Sequence, residues 1–290
     1  MRKVFVYGTL RKGEGNAHLK KNASCIAEQC WTNGKLYDAG YGYPAMKQSQ
    51  SSYVYGELYS VTETELNRLD VLEGYRRGGS SNLYERVEQT VYTDKGQSNA
   101  YVYVAGPEML LNKRIPWGDW KEYKWTKKQN DSILYFAYGS CMDNKRFIEK
   151  RVDAYFQDML GVGVLDNYTL RFTRKSKEDG MGRADIVEEG GRVEGKVYKI
   201  PIEALKNYLY QREGAPTAYR ATFVTIKLHG KDIQALTFTV KDKEEETAPS
   251  AKYEEEILRG ADGYLSADYI SKLKTHINFL KNLHQTIGGM

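Results

Sequence analysis

The chain has 290 residues, of which 41% are hydrophobic and 28% are charged, and its formal net charge is +5. This composition is ordinary for a soluble globular protein with room for two cores, and no apolar run approaches membrane-spanning length. The mild positive charge permits an anionic small molecule as ligand but does not require nucleic acid.

Three cysteines, Cys25, Cys30 and Cys141, are odd in number and lack the spacing of a metal-binding finger. They favour a reducing compartment. The apolar stretch after the N-terminal basic residues is too short for a signal peptide. We therefore expect a cytoplasmic protein with no metal, no cofactor and no membrane partner.

The first half begins with an aromatic and β-branched run, VFVYGTLR, from Val4 to Arg11. The run predicts a buried strand, and the glycine at its end allows a tight turn that gathers backbone amides. A helix is expected to start near Asn16. A strand followed by a loop is predicted over residues 34–46, and further strands are predicted over 54–61, 84–92 and 100–105. A helix over residues 63–72 should bury Leu66, Leu69 and Leu72 on one face.

Residues 107–131 contain two prolines, three tryptophans and a charged end, KKQND. This composition predicts a domain boundary near Asn130, with domains over residues 1–130 and 131–290. In the second half, strands are predicted over residues 133–138, around 160–172, from Gly195, and over 219–228 and 233–240. Helices are expected over 143–152, around Leu205 and Leu209, and over 250–259 and 267–284.

The two halves of the chain contain the same sequence motifs in the same order. LYFAYGSCM, from Leu134 to Met142, repeats the first run. Gly56–Gly74 and Gly195–Gly214 each read as a strand, a turn and an amphipathic helix that ends at Glu-Gly. Glu73 aligns with Glu213, with one extra residue after Leu205. A repeat of this length indicates a tandem domain duplication and not a solenoid.

YGTLR, followed later by a strand, a helix and LDVLEG, resembles the γ-glutamylamine cyclotransferase-like branch of the γ-glutamylcyclotransferase superfamily. YFAYGSCM, GRADIV, QREG and PSAKYEEEILRGA resemble the larger γ-glutamylcyclotransferase branch. The resemblance implies an α+β fold of two tandem small mixed β-barrels with flanking helices. It also implies one acidic residue as general acid and base, and conversion of a γ-glutamyl amide to 5-oxoproline with release of the amine.

That reaction needs a proton acceptor, donors for an oxyanion and recognition of a carboxylate, because the attacking amine belongs to the substrate itself. Glu73 and Glu213 are the predicted catalytic residues. The predicted substrate-binding residues form the two loops, Tyr7, Gly8, Thr9 and Leu10 in the first half and Tyr138, Gly139, Ser140 and Cys141 in the second. The first half is the better candidate, since the resembling family has asparagine where Cys141 stands and Arg212 adjoins Glu213.

Several alternatives stay open at this point. Glu73 could be an exposed helix-end residue, and Arg11 could contact a substrate carboxylate or simply be solvated. Tyr84 and Tyr219 are interpreted as wall or core residues. The protein could also be a non-catalytic binding or regulatory module that keeps the γ-glutamyl pocket. Nucleic-acid binding has no recognition motif in its favour. The sequence does not predict which γ-glutamyl compound is the substrate, and it does not predict the oligomeric state.

Overall fold

The computed structural model describes residues 1–127 and 131–288. Contacts divide the chain into two compact units, Met1–Lys128 and Gln129–Met290. The boundary predicted near Asn130 lies outside the described residues. Among the described residues, no helix is both long and apolar enough to cross a membrane.

The first unit consists mainly of strands, with two helices and two short 3₁₀ turns (Ala17–Lys20 and Glu108–Leu110) in its described part. Its strands and helices in chain order are β1 (Arg2–Val6), β2 (Ser24–Asn33), β3 (Lys35–Asp38), β4 (Pro44–Lys47), β5 (Tyr53–Val61), α1 (Glu63–Leu72), β6 (Tyr84–Thr93), β7 (Gly96–Ala105), β8 (Lys113–Ile115) and α2 (Trp120–Lys127).

The second unit repeats the order of the barrel strands, with an additional helix after its first strand and two helices at its end. Its elements are β9 (Ser132–Ala137), α3 (Asn144–Glu149), β10 (Met159–Asp166), β11 (Thr169–Lys175), β12 (Gly182–Val187), β13 (Arg192–Pro201), α4 (Ile202–Ala204), α5 (Tyr210–Glu213), β14 (Tyr219–Leu228), β15 (Lys231–Val240), α6 (Ala251–Ala261) and α7 (Ala267–Gly288). Two 3₁₀ turns (Ser140–Met142 and Asp153–Phe156) flank α3.

Each unit is built on a closed five-stranded barrel of the same topology. The first runs β1-β5-β2-β6-β7, and the second runs β9-β13-β10-β14-β15 when read from the equivalent strand. In both, a single parallel pair closes an otherwise antiparallel barrel, at Val4 and Tyr101 in the first and at Tyr135 and Leu236 in the second. The predicted fold class, two tandem mixed barrels with helices, is confirmed.

A glycine at the same place in each barrel lets the strand before the loop pack closely. A Cβ atom on Gly56 would lie 2.3 Å from the Val6 carbonyl oxygen, and one on Gly195 would lie 2.4 Å from that of Ala137. The rings of Phe5 and Phe136 occupy the adjoining space. Gly56 and Gly195 therefore mark the point at which β5 or β13 lies close against the end of β1 or β9.

Helix α1 is fixed at both ends by its sequence. Thr62 and Glu65 form a capping box at its start. Gly74 follows its last turn with a φ of 61°, a left-handed conformation that favours glycine. Leu66 and Leu69 are buried as predicted, but the prediction for Leu72 was wrong, because this side chain is 36% exposed. It lines a cavity instead of packing in the core.

The corresponding helix of the second unit accommodates its extra residue as a π-helical turn. This turn, Leu205–Leu209, joins α4 to α5. A single inserted residue in a helix is commonly absorbed in this way, which keeps the register on either side. The insertion therefore leaves Glu213 at the helix end, before Gly214 with a φ of 60°.

Some local predictions differ from the structure. Strand β2 was missed, because its mixed polar and small residues, SCIAEQCWTN, lack a strong alternating pattern. Residues 34–46 form a hairpin of two short strands instead of one strand and a loop. The helix predicted over 143–152 is shorter and spans only Asn144–Glu149, and near Asn16 only a 3₁₀ turn forms.

Candidate active site

The loop after β1 lines a cavity of about 370 Å³ in the first domain. Its backbone is held by the amides of Arg11 and Asn16, which donate to the carbonyls of Gly8 and Thr9. Within the described residues, the amides of positions 8–10 themselves donate to no protein acceptor. Three consecutive N–H groups without a protein acceptor thus belong to residues that line the cavity, and we expect them to donate to a ligand there. The predicted loop residues that line it are Tyr7, Gly8, Thr9 and Leu10.

Tyrosines form the walls of this cavity, and their hydroxyl groups are already committed. Tyr7 donates to the Tyr103 carbonyl oxygen at 2.7 Å, and Tyr84 donates to the Pro44 carbonyl oxygen at 2.9 Å. Tyr103 donates in turn to Asp70 at 2.7 Å. Burial raises the pKa of Tyr7 and Tyr84, so both hydroxyls stay protonated at neutral pH. Tyr84 is thus a wall residue, as interpreted from the sequence.

Glu73 lies at the end of α1 and lines the same cavity. Its carbonyl oxygen accepts from the Tyr84 amide at 3.2 Å, which ties the helix end to β6. The side chain is half-buried, and burial raises its pKa to about 7. Among the described residues, its carboxyl group has no hydrogen-bond partner. The group can therefore exchange a proton near neutral pH.

The second domain repeats this arrangement around a cavity of about 340 Å³. Tyr138 donates to the Phe238 carbonyl oxygen at 2.6 Å, and Tyr219 donates to that of Ala184 at 2.8 Å. These two bonds correspond to those of Tyr7 and Tyr84. The predicted residues that line this cavity are Tyr138, Gly139, Ser140, Cys141 and Glu213.

The carboxylate of the second domain differs from Glu73 in its contacts. The thiol of Cys141 donates to Glu213 Oε1 at an S–O distance of 3.5 Å. The Arg212 guanidinium donates to Ser140 Oγ at 2.9 Å, so the neighbouring cation is directed at the loop. Burial, followed by the charge of Glu213, raises the pKa of Cys141 to about 12. The thiol therefore stays protonated at neutral pH, where it is a hydrogen-bond donor to Glu213 and not a nucleophile.

Comparisons with known proteins agree with the duplicated geometry. The family model described as "Gamma-glutamyl cyclotransferase, AIG2-like" matches residues 4–122, and that of the "AIG2-like family" matches residues 192–273. A relative from Bacillus subtilis (strain 168), named "Putative gamma-glutamylcyclotransferase YkqA", is 44% identical over 284 residues. The match covers 96% of this chain and 98% of the relative. The chain belongs to the γ-glutamylcyclotransferase superfamily.

Two further matches support membership of the superfamily. The crystal structure of YkqA from Bacillus subtilis superposes with a TM-score of 0.86 and 42% identity, covering 96% of this chain and 98% of that one. A protein of Niallia circulans, "Gamma-L-glutamyl-butirosin B gamma-glutamyl cyclotransferase", is 38% identical over 125 residues, which are 43% of this chain and 78% of that protein. The high coverage of YkqA shows that both domains, in tandem, are shared.

The structure brings every predicted site residue to one of the two cavities, one set in each domain. Neither reading of Arg11 was right. Its side chain is only 2% exposed and forms ion pairs with Asp119 at 2.8 Å and Glu57 at 3.4 Å. Glu57 also accepts from Lys121 at 3.3 Å. Arg11 thus belongs to a buried ionic cluster, which we define as Arg11, Glu57, Asp119 and Lys121, beneath the loop.

Sequence reasoning missed several residues that shape the cavities. Tyr103 supplies the acceptor for Tyr7, and Tyr43 packs against Tyr84 with ring centroids 6.5 Å apart. In the second domain, Tyr253 lines the cavity and its hydroxyl accepts from the Ala184 amide at 3.3 Å. The many tyrosines were a signal for pocket walls, but composition alone does not say which ones face a cavity.

Asp185, within the GRADIV motif, has a structural role. Its carboxylate is fully buried and accepts from Thr173, Thr239 and the amide of Val240, besides pairing with Lys243 at 2.5 Å. These bonds join β12 to β11 and β15. Among the described residues, no group of three or more His, Cys, Asp or Glu side chains could hold a metal ion.

Thiol alkylation tests the protonation state of Cys141. With iodoacetamide at about pH 8, we expect exposed Cys25 to be modified first and Cys141 to remain largely unmodified, since its thiolate is scarce and the side chain is 4% exposed. Peptide mass spectrometry over time measures both rates, with buried Cys30 as the internal control. Equal rates at Cys25 and Cys141 would contradict this assignment.

The raised pKa of Glu73 also predicts a pH-dependent effect on stability. The folded protein holds this proton up to about pH 7, whereas the unfolded chain releases it near 4.5. The stabilisation from this proton is complete below about 4.5 and is lost as the pH rises through about 7. Glu73→Gln, which stays neutral, should therefore stabilise the first domain by about 1–2 kcal/mol more at pH 8 than at pH 4.

This difference is measured by denaturant unfolding, with tryptophan fluorescence as the signal. The signal reports on the first domain, because all four tryptophans lie there, namely Trp31, Trp117, Trp120 and Trp125. Glu63→Gln, at an exposed position of the same helix, is the control and should show no such change. A Glu73→Gln effect that is equal at both pH values would count against the raised pKa.

Proposed function

We propose that the protein is a γ-glutamylcyclotransferase that converts a γ-glutamyl amine or peptide to 5-oxoproline and a free amine. The first-domain cavity is the main catalytic site in this proposal. The observation that carries it is the Glu73 carboxyl group, which has a pKa of about 7 and no protein partner among the described residues, in a cavity that also holds three available amides. Superfamily membership supports the same reaction class.

The first step is an intramolecular attack. Glu73 takes a proton from the α-ammonium of the bound glutamyl moiety, and the amine nitrogen then attacks the γ-carbonyl carbon to form a five-membered ring. Both reacting groups belong to one molecule, so a cavity that selects the folded conformer exploits the high effective molarity of such attacks. The enzyme needs no serine or cysteine nucleophile for this step.

The second step expels the amine. The carbonyl oxygen becomes an oxyanion in the tetrahedral intermediate, where the amides of residues 8–10 can donate to it. Protonated Glu73 returns its proton to the leaving nitrogen, and the bond between carbon and nitrogen breaks. The ring nitrogen gives up its second proton to the regenerated Glu73 carboxylate, which then releases it to solvent. One carboxyl group with a pKa near the operating pH can serve as base and then as acid, which is the property that burial gives Glu73.

The second domain has the same parts with one difference in chemistry. Glu213 occupies the position equivalent to Glu73, but the Cys141 thiol donates to it. This hydrogen bond occupies one carboxylate oxygen of Glu213, whereas the carboxyl group of Glu73 has no partner among the described residues. We therefore propose that this cavity binds γ-glutamyl compounds and turns them over more slowly than the first.

The proposal includes a cytoplasmic location and a small-molecule substrate, without a nucleic-acid or membrane partner. The cysteines support this location, because Cys25, Cys30 and Cys141 form no disulfide, as expected in a reducing compartment.

Incubation with γ-glutamyl compounds in ¹⁸O-labelled water tests the reaction itself. Cyclisation should give 5-oxoproline without ¹⁸O, since no water enters the product, and mass spectrometry should show one free amine for each ring formed. Reactions without protein correct for spontaneous cyclisation. Labelled glutamate would instead indicate hydrolysis and contradict the proposal. A ligand that raises the melting temperature without being consumed would support the binding or regulatory alternative.

A further inference from the structure

An ion pair joins helix α1 to the barrel of the first domain, one helical turn before Glu73. The Asp70 carboxylate accepts from the Tyr103 hydroxyl at 2.7 Å through Oδ1 and from the Arg86 guanidinium at 2.6 Å through Oδ2. The side chains of Asp70 and Arg86 are each only 15% exposed. Because each carboxylate oxygen has its own donor, the Asp70 side chain is held in one orientation.

The sheet and two further aromatic rings fix the donors of these hydrogen bonds. Arg86 and Tyr103 lie directly opposite each other on β6 and β7, so their side chains share one face of the barrel. The Arg86 guanidinium lies against the rings of Tyr75 and Tyr101, with its Cζ atom 4.9 and 4.6 Å from their centroids. These cation–π contacts restrict the guanidinium that holds Asp70.

The same residues connect the two parts of the candidate active site. Asp70 and Glu73 are three residues apart at the end of α1, a spacing that places helical neighbours on one face. Tyr103 lines the cavity, and its carbonyl oxygen accepts from Tyr7, which precedes the loop amides. Tyr103 therefore contacts the loop through its backbone and the Glu73 helix through its side chain.

The second domain makes the corresponding contact from two aromatic rings. Tyr210 precedes Glu213 by three residues, as Asp70 precedes Glu73. Its ring packs edge to face against Phe238, with centroids 6.0 Å apart and an interplanar angle of 89°. A contact between the helix end and the cavity wall thus recurs in both domains with different chemistry.

The residues at the other two places also differ between the domains. Phe238 is the counterpart of Tyr103, because its carbonyl oxygen accepts from the loop tyrosine of the second domain, Tyr138. The place of Arg86, two residues after the wall tyrosine, is taken by Ala221. A barrel of this topology therefore closes without the ion pair, which leaves the first-domain pair free to serve the site.

We propose that Asp70, held by Arg86 and Tyr103, is a positioning residue that fixes Glu73 relative to the loop amides of the first domain. This inference rests on the proposed function of that cavity. The three residues transfer no proton in this account. Burial, followed by the hydrogen bond to Asp70, raises the pKa of Tyr103, so its hydroxyl stays protonated at neutral pH.

Tyr103→Phe tests this assignment with a small change. The variant removes the hydroxyl that reaches Asp70, keeps the carbonyl that accepts from Tyr7, and introduces the residue type that the second domain has at this place. All variants carry Glu213→Gln, so that the turnover measured comes from the first cavity.

We expect Tyr103→Phe to lower kcat for 5-oxoproline release from γ-glutamyl ethylamide by about 10–100-fold, because misplacing a reacting group by about 1 Å can have an effect of that size. KM should change by less than about threefold, since the ligand is still bound by the same loop and walls. Asp70→Asn, which removes the charge paired with Arg86, should show the same separation of kcat from KM.

A double-mutant cycle distinguishes positioning from a general loss of structure. When Glu73→Gln is already present, adding Tyr103→Phe should lower the residual kcat by less than about twofold, because no carboxyl group is left to position. Tyr92→Phe is the matched control, since it removes a tyrosine hydroxyl from the far end of β6, outside the cavity. This control should change neither kcat nor KM.

Hydrogen exchange followed by peptide mass spectrometry gives a measurement that does not depend on turnover. The peptide that contains residues 70–75 should exchange faster in Tyr103→Phe than in the unsubstituted chain, because the helix end has lost its contact with the barrel. The peptide that contains α2 should be unchanged, which shows that the domain is still folded.

Two results would overturn the inference. One is an unchanged kcat in Tyr103→Phe, and the other is an equal loss of kcat with and without Glu73→Gln. Formation of 5-oxoproline by the unsubstituted chain is measured in parallel. Turnover with either of these two results would contradict only the positioning role. Faster exchange at residues 70–75 in a protein that forms no 5-oxoproline would contradict only the proposed reaction.

Discussion

Replacing Glu73 by glutamine is expected to lower kcat for 5-oxoproline release from γ-glutamyl ethylamide by about 10²–10⁴-fold, the usual contribution of a general acid and base. Glutamine has nearly the same shape but cannot accept the ammonium proton or return one to the leaving nitrogen. KM should change much less, because the loop amides and wall tyrosines stay in place. Steady-state assays of 5-oxoproline measure both constants.

Glu213→Gln is the matched control within the same chain. We expect this variant to keep most of the activity with γ-glutamyl ethylamide, because the first cavity is intact. Retention of more than about a tenth of kcat by Glu73→Gln would contradict the assignment of Glu73. A large loss in Glu213→Gln alone would place the main site in the second domain.

Arg11→Met is expected to destabilise the first domain by about 3–5 kcal/mol, because it leaves Glu57 and Asp119 buried with one cation fewer. Methionine occupies the equivalent place in the second domain, at Met142, so its size is compatible with the fold. There the residue at the place of Glu57 is Lys196, which donates to the Met142 carbonyl oxygen at 2.8 Å. The two domains thus stabilise the same loop with different charges.

Urea unfolding followed by tryptophan fluorescence measures the first domain separately, since the second has no tryptophan. Arg2→Met breaks the exposed pair with Glu63 and should cost at most about 1 kcal/mol. If Arg11→Met costs no more than Arg2→Met, the ionic cluster does not hold the loop in the way described.

Local sequence signals predicted the parts of the fold that depend on neighbouring residues. The repeated Tyr-Gly motif predicted both loops, because a tight turn favours glycine. The repeated Glu-Gly motif predicted both helix ends, because a residue in the left-handed conformation favours glycine as well. The repeat also predicted two domains of one architecture. The extra residue after Leu205 was visible in the sequence, although its π-helical form was not.

Contacts between distant residues could not be predicted in the same way. Arg11 is adjacent to the loop in sequence, but its partner Asp119 lies 108 positions away, so no local pattern indicated that the charge of Arg11 is buried. The side-chain partner of Glu213 was hidden for the same reason, since Cys141 precedes it by 72 positions. Leu72 fitted the helical pattern and still lines a cavity, because periodicity does not distinguish a pocket wall from a core.

Backbone donors explain how the two domains could diverge while keeping one geometry. The amides of the loop do not depend on side-chain identity, so Thr9 and Leu10 can correspond to Ser140 and Cys141. The hydroxyl groups of the wall tyrosines also bond to backbone carbonyls in both domains. The contact between the helix end and the cavity wall carries no such constraint, and an ion pair in the first domain corresponds there to aromatic packing in the second.

The pH dependence of kcat/KM for γ-glutamyl ethylamide tests most directly whether a buried glutamate drives the reaction. Because Glu73 must be ionised to accept the ammonium proton, activity should rise with pH along a limb with an apparent pKa of about 7, well above the usual value of a glutamate. The residual activity of Glu73→Gln should lack this limb. A profile that is flat from pH 5.5 to 8, or a limb that persists in Glu73→Gln, would contradict the account.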